Sequence, residues 1–194
     1  MKNLLARTKN WVKEKFFLLK KEAKDTGLKE WLIYLISGVF SFIITYQSLV
    51  FLSNRYAIGW NETLSLSGHF FLVEKDKRDL KRGDQVCFYT RDLLPYYPKK
   101  SKFVKRIVGV EGDYIAKKGR IFTICKKEKP TECITAKARK KDSKGNPAPQ
   151  FIPEGEKIPS GCFFVLGDHP QSFDSRYWGY VSKEEVIGKA ASIF

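Results

Sequence analysis

The run from Trp31 to Leu52 (WLIYLISGVFSFIITYQSLVFL) carries no charged side chain over 22 positions. A helix of that length is about 33 Å long, enough to cross the roughly 30 Å hydrocarbon core of a bilayer. Lipid leaves little choice of structure. Backbone polar groups there must be satisfied within the segment, and a single span achieves this only as a helix. Trp31 and Tyr34 toward one end, with Tyr46 and Tyr56 toward the other, suit the interfacial aromatic belts. The alternative is a long buried core helix, for which Gly38 and the serines would also serve. The run is too long for a cleaved signal peptide, begins about 30 residues into the chain, and lacks a small-x-small cleavage site.

The flanks orient the span. Residues 1–30 hold nine basic side chains: Lys2, Arg7, Lys9, Lys13, Lys15, Lys20, Lys21, Lys24 and Lys29. The positive-inside rule keeps that end cytoplasmic and sends residues 53–194 across the membrane. Leu4, Leu5, Trp11, Val12, Phe16 and Leu19 recur among these lysines at helical spacing. A helix so patterned would lie on anionic lipid, although a partly disordered basic tail has the same composition. The net charge of +15 calls for an anionic partner. Membrane lipid is the expected one, because no helix-turn-helix, zinc-finger or RNP pattern supports nucleic acid.

Beyond the span the chain reads as mostly β with barrel-like closure. Short apolar or alternating runs at His69–Glu74, Gln85–Thr90, Phe103–Val110, Tyr114–Ala116, Ile121–Cys125, Cys162–Leu166 and Val186–Phe194 are punctuated by Gly, Pro, Asp and Lys. Residues 117–150 differ, with eleven Lys or Arg against three acids. They are expected to form a basic excursion or small cap, lying on lipid or mobile. Cys125 and Cys133 bracket a turn-like polar segment, and on the exported side they are expected to form a disulfide. Cys87 and Cys162 sit in apolar strand-like contexts and read as buried free thiols. No metal-ligand cluster and no cofactor motif is visible.

Two segments carry the chemistry. One is Phe103-Val104-Lys105-Arg106-Ile107-Val108-Gly109-Val110-Glu111-Gly112-Asp113, a lysine entering an apolar run that closes on a Gly-x-x-Gly-Asp turn. The other runs from Gly167 to Gly179 (GDHPQSFDSRYWG), directly after the Cys162–Leu166 run. Together they resemble the two boxes of the type I signal peptidases, in the same order, and the likeness extends from about Asn61 to Ala190. That family consists of membrane-bound serine proteases with a Ser-Lys dyad. The resemblance implies a signal-peptidase-like β-barrel or sandwich with a small cap, and signal-peptide-bearing exported precursors as substrates.

A serine attacks an amide only if something takes its proton. The chain has two histidines, His69 and His169, and no arrangement of a Ser-His-Asp triad; both read as surface residues. A lysine buried among apolar groups can lose its proton near neutral pH and do the same work. Lys105, between Val104 and Ile107-Val108, has such neighbours, and the resemblance makes it the general base.

The nucleophile is sought in Asn61-Glu62-Thr63-Leu64-Ser65-Leu66-Ser67-Gly68-His69. This loop resembles the branch of the family tied to conjugative DNA transfer, whose pattern is Asn-x-Thr-x-Ser-x-Pro followed by Gly and an aromatic residue. The resemblance implies Ser65 as nucleophile and an oxyanion hole from the Ser65 backbone N–H and the Thr63 hydroxyl. It also implies possible partners among conjugation and type IV secretion components. Ser67 stands where the pattern has Pro, and Gly68 is displaced by one position. Both departures leave Ser67 as an alternative nucleophile and an inactive relative as an alternative reading. Ser172 matches the serine that orients the lysine, and Asp174 and Arg176 match a supporting pair. Around the site, Phe70-Phe71 and Tyr96-Tyr97 are either lipid-facing or core.

Overall fold

The structure, a computed structural model, describes residues 13–15, 17, 20, 27–60, 66, 68, 70–77, 79–142 and 144–193. The apolar residues of the expected amphipathic segment (Leu4, Leu5, Trp11, Val12, Phe16 and Leu19) lie outside these. Helix α1 covers Leu28–Arg55 and contains the uncharged run. Its start is set by Glu30, whose carboxylate accepts from the Gly27 N–H at 3.1 Å, as a third helical residue does in a capping box. Three of its hydroxyls bond back to carbonyls within the helix. Thr45 Oγ1 donates to the Ser41 carbonyl at 2.9 Å and Ser48 Oγ to the Ile44 carbonyl at 2.8 Å. The helix is long and apolar enough to cross a membrane, and none of its residues is buried within the protein. A core helix would be buried; this one presents apolar side chains all round.

Residues 53–194 form a separate compact unit. Its strands are β1 (Tyr56–Trp60), β2 (Phe70–Lys75), β3 (Gln85–Tyr89), β4 (Lys102–Gly109), β5 (Tyr114–Lys118), β6 (Ile121–Cys125), β7 (Cys133–Lys137), β8 (Cys162–Leu166), β9 (Val181–Ser182) and β10 (Val186–Ser192). A short helix α2 (Ser175–Trp178) precedes β9. All pairings between these strands are antiparallel: a seven-stranded sheet ordered β1-β2-β10-β3-β4-β8-β9 and a three-stranded sheet β5-β6-β7. The expected strands are present with ends moved by a few residues, while β1, β7 and β9 were not anticipated.

Strand β8 explains the apolar run Cys162–Leu166, because successive side chains point to opposite faces and both faces are covered. Phe163 and Val165 join Val86, Phe88 and Ile107 in one core, whereas Phe164 and Leu166 join Phe122, Ile124 and Ile158 in another. The second core is where the small sheet meets β4 and β8. The basic excursion 117–150 therefore contains hydrogen-bonded strands with buried Phe122, Ile124 and Ala138, not a free charge run.

The Cys125–Cys133 disulfide joins directly opposed residues of β6 and β7. Cys87 is a buried thiol, but Cys162, at the end of β8, is only half-buried. Gly109 ends β4 at a register shift, and a Cβ there would run into Ile158 Cδ1. That contact excludes any other residue without rearrangement.

Candidate active site

Strand β4 carries Lys105 and β8 leads into Gly167, so the pairing of these two strands brings the two sequence boxes together. The junction is tied by side chains. Arg106 donates from Nε and Nη2 to the two carboxylate oxygens of Asp168, each at 2.8 Å, and from Nη1 to the Gly83 carbonyl at 3.0 Å. Asp113, buried at the close of the first box, accepts from the N–H groups of Val110 (2.6 Å) and Lys127 (3.0 Å) and from Arg82. It organises a turn, as its sequence context suggests.

In the second box, Asp174 is fully buried and caps α2. It makes a bidentate pair with Arg176 (2.7 and 2.8 Å) and accepts from the Gly167 N–H at 3.0 Å. Arg176 also donates to the carbonyls of Ser172 (3.1 Å) and Lys137 (2.8 Å). One guanidinium thus holds the loop bearing Ser172 and the end of β7 at once. Ser175, next in sequence, accepts from the Val165 N–H at 2.9 Å and anchors the helix to β8. Every polar side-chain atom of the Asp174–Arg176 pair is engaged, either within the pair or with backbone, so neither group is free to move protons.

Lys105 is 5 % exposed. Phe103, two residues earlier on the same face of β4, places its ring centroid 5.5 Å from Nζ. The aromatic face favours the ammonium, but removal from water outweighs it. Burial pushes the amine down from 10.5 to about 8, against a weaker upward pull from Asp174. Among the described residues no carboxylate forms an ion pair with Lys105. Ser172 is buried too, and its hydroxyl has no hydrogen-bond partner among the described residues. A buried hydroxyl left unpaired calls for a reason, and a role at the site is one.

Lys105 and Ser172 line the same groove, of about 850 Å³. Its apolar lining comes from Trp60, Phe71, Tyr96, Tyr97, Phe173 and Tyr177. Phe71 is also core, being fully buried, whereas Phe70 is partly exposed. Tyr97 stacks on Phe173 and meets Phe103 edge-on. His169 lines the groove and is exposed, with its Nδ1 accepting from the Gln171 N–H. Ser65, Thr63, Ser67 and His69 lie outside the described residues. Of their loop, Leu66 is buried against Phe71, Val73 and Cys87, and Gly68 adopts φ 112°, a conformation that favours glycine. Sequence reasoning missed Arg139 and Lys141, which reach the groove from the far end of the small sheet. Only their place in a basic stretch marked them. No group of His, Cys, Asp or Glu suited to a metal occurs among the described residues.

A buried, neutral-prone amine and an unpaired buried hydroxyl that line one groove suit a hydrolase that deprotonates its nucleophile without histidine. Comparison with known proteins agrees. The family model described as signal peptidase, peptidase S26, matches residues 28–194. The signal peptidase I of Bacillus caldolyticus is 33% identical over 131 residues, covering 63% of this chain and 68% of that protein. A probable signal peptidase I-2 of Synechocystis sp. is 33% identical over 115 residues, 58% of this chain but only 47% of its own length. A crystal structure of a signal peptidase I from Enterococcus faecalis V583 aligns with 59% of this chain and 98% of that one, at 23% identity and a TM-score of 0.36. The chain belongs to the signal peptidase family, peptidase S26, whose members are serine endopeptidases.

Proposed function

We propose that this chain is a membrane-anchored signal peptidase that removes signal peptides from exported precursors through a Ser65–Lys105 dyad. The observation that carries this reading is Lys105 itself: buried, without a carboxylate partner among the described residues, and lowered to about 8. Neutral Lys105 takes the Ser65 proton as Ser65 attacks the scissile carbonyl. The Ser65 N–H and the Thr63 hydroxyl receive the developing oxyanion. Protonated Lys105 then gives its proton to the leaving amine, and water resolves the acyl-enzyme. Ser172 holds the lysine amine toward the nucleophile, and Asp174 with Arg176 holds the Ser172 loop. Helix α1 spans the membrane with residues 1–30 on the cytoplasmic side and the β unit on the periplasmic side.

The narrower version assigns the enzyme to pilin or other precursors of a conjugative or type IV secretion system, on the pattern Asn61-x-Thr63-x-Ser65. A second reading, a catalytically inactive component of such an apparatus, is favoured by Ser67 in the usual place of Pro and by the displaced Gly68. Purified full-length protein given a precursor decides between them. Cleavage lost in both Ser65→Ala and Lys105→Ala, and kept in Ser67→Ala, is the expected result. Loss only in Ser67→Ala moves the nucleophile, and a wild type that never cleaves leaves the structural role.

A further inference from the structure

The groove that holds Lys105 is also lined by three exposed cations, Lys102, Arg139 and Lys141. None of them has an ion-pair partner among the described residues. The single carboxylate among the described lining residues, Asp142, is held by its own turn and by the Tyr96 side chain, and the cations outnumber it. It accepts from the N–H groups of Lys144 (2.8 Å) and Asn146 (2.9 Å) and from the Asn146 side chain (3.3 Å). Unpaired surface lysines are common on a chain of net charge +15, so number alone means little. What sets Arg139 and its neighbour Lys141 apart is where they stand and how their backbone is held. The Arg139 N–H donates to the Tyr177 hydroxyl at 3.0 Å, and the Lys137 carbonyl accepts from the guanidinium that also holds the Ser172 carbonyl. The backbone that carries Arg139 is therefore fastened to the loop of the site. Lys102 stands three residues before Lys105 on β4 and therefore starts from the opposite face of that strand.

A concave site with cations on its walls concentrates anionic ligands, and a low-dielectric floor strengthens the effect. Here aromatic rings supply that floor. We propose that Arg139 and Lys141 are specificity residues that favour precursors bearing Asp or Glu within a few residues of the bond that is cut. This rests on the peptidase reading above. Each exposed ion pair raises affinity about two- to fivefold, so a peptide meeting two of these cations gains on the order of tenfold at low salt.

The test uses fluorescein-labelled peptides spanning a cleavage site, identical except for Glu or Gln at positions on either side of the cut. Binding is read by anisotropy on full-length Lys105→Ala protein in detergent, and cleavage by wild type is followed in parallel. At least one Glu peptide should bind about five- to tenfold tighter than its Gln twin, with the gap closing in high salt. Adding Arg139→Gln and Lys141→Gln should abolish the gap, the Glu peptide losing its advantage over its Gln twin. Arg139→Glu with Lys141→Glu should invert the preference toward a Lys peptide. Equal affinities at every position, or a gap that survives the Gln substitutions, overturns the proposal. So does loss of binding to anionic phospholipid vesicles in the double variant with peptide preference intact, which would assign these cations to the membrane. If no peptide is cleaved, the peptidase reading fails on its own, while the binding difference still decides this one.

Discussion

Replacing Lys105 by Met should destroy activity and make the protein more stable. A lysine in the unfolded chain titrates at 10.5, and burial in the folded site lowers this to about 8. Below pH 8 both states hold the proton, and the folded state bears the full burden of a desolvated ammonium. That difference of two to three pH units corresponds to about 3 kcal/mol, at 1.36 kcal/mol per unit. Between pH 8 and 10.5 the unfolded chain binds more protons than the folded one, so wild-type stability rises with pH and the burden disappears. Methionine has a similar stem and no charge. The variant should unfold about 6–12 °C higher than wild type at pH 6.5, and the gap should shrink to a few degrees at pH 10. Thermal unfolding in detergent, followed by circular dichroism at both pH values, measures it. A variant less stable than wild type at pH 6.5, or a gap independent of pH, would refute the claim that desolvation governs this amine.

The same amine sets the pH dependence of the rate. Activity should climb with pH to a plateau with a midpoint near 8, and at pH 7 stand at about one-tenth of the plateau in kcat/KM, since only the neutral amine accepts a proton. Asp174→Ala leaves Arg176 buried and unpaired and should cost about 3–5 kcal/mol in denaturant unfolding; adding Arg176→Met should recover much of that loss. Gly109→Ala forces a Cβ into Ile158 and should cost about 1–3 kcal/mol in the same assay, with Ile158→Val restoring part of it.

Much of this architecture could be read from the chain because its signals are local. Strands β6 and β8 fall where the apolar runs Ile121–Cys125 and Cys162–Leu166 fall, since turn residues bound both. Strand β1 was hidden for the opposite reason. Tyr56 follows Arg55 of α1 without a break, so its aromatic residues read as a membrane flank and not as pairing partners for Glu74 to Phe70. Strand β7 was masked by composition. Three of its five residues are Cys, Thr and Lys, and its hold on β6 comes from ladder hydrogen bonds and the disulfide, not from a buried face. At the site, sequence pointed to Lys105, Ser172, Asp174 and Arg176 one by one. It could not show that Asp174 and Arg176 are both buried, or that the guanidinium reaches a carbonyl of the small sheet. Those are long-range facts, and no spacing along the chain encodes them.

That reach from Arg176 to Lys137 limits how the small sheet can be altered. Its turn at 128–131 carries none of the residues that line the groove and should accept insertions, tags or exchanged sequences. The segment from Lys137 to Arg139 cannot be treated so, because it serves as the far abutment for the loop of Ser172, through Arg176 on one residue and the Tyr177 hydroxyl on another. A chimera that swaps the excursion must therefore keep those three residues in register. One that cuts the whole sheet away would leave a buried guanidinium with a missing support, and the lysine it indirectly steadies would be the first thing to drift.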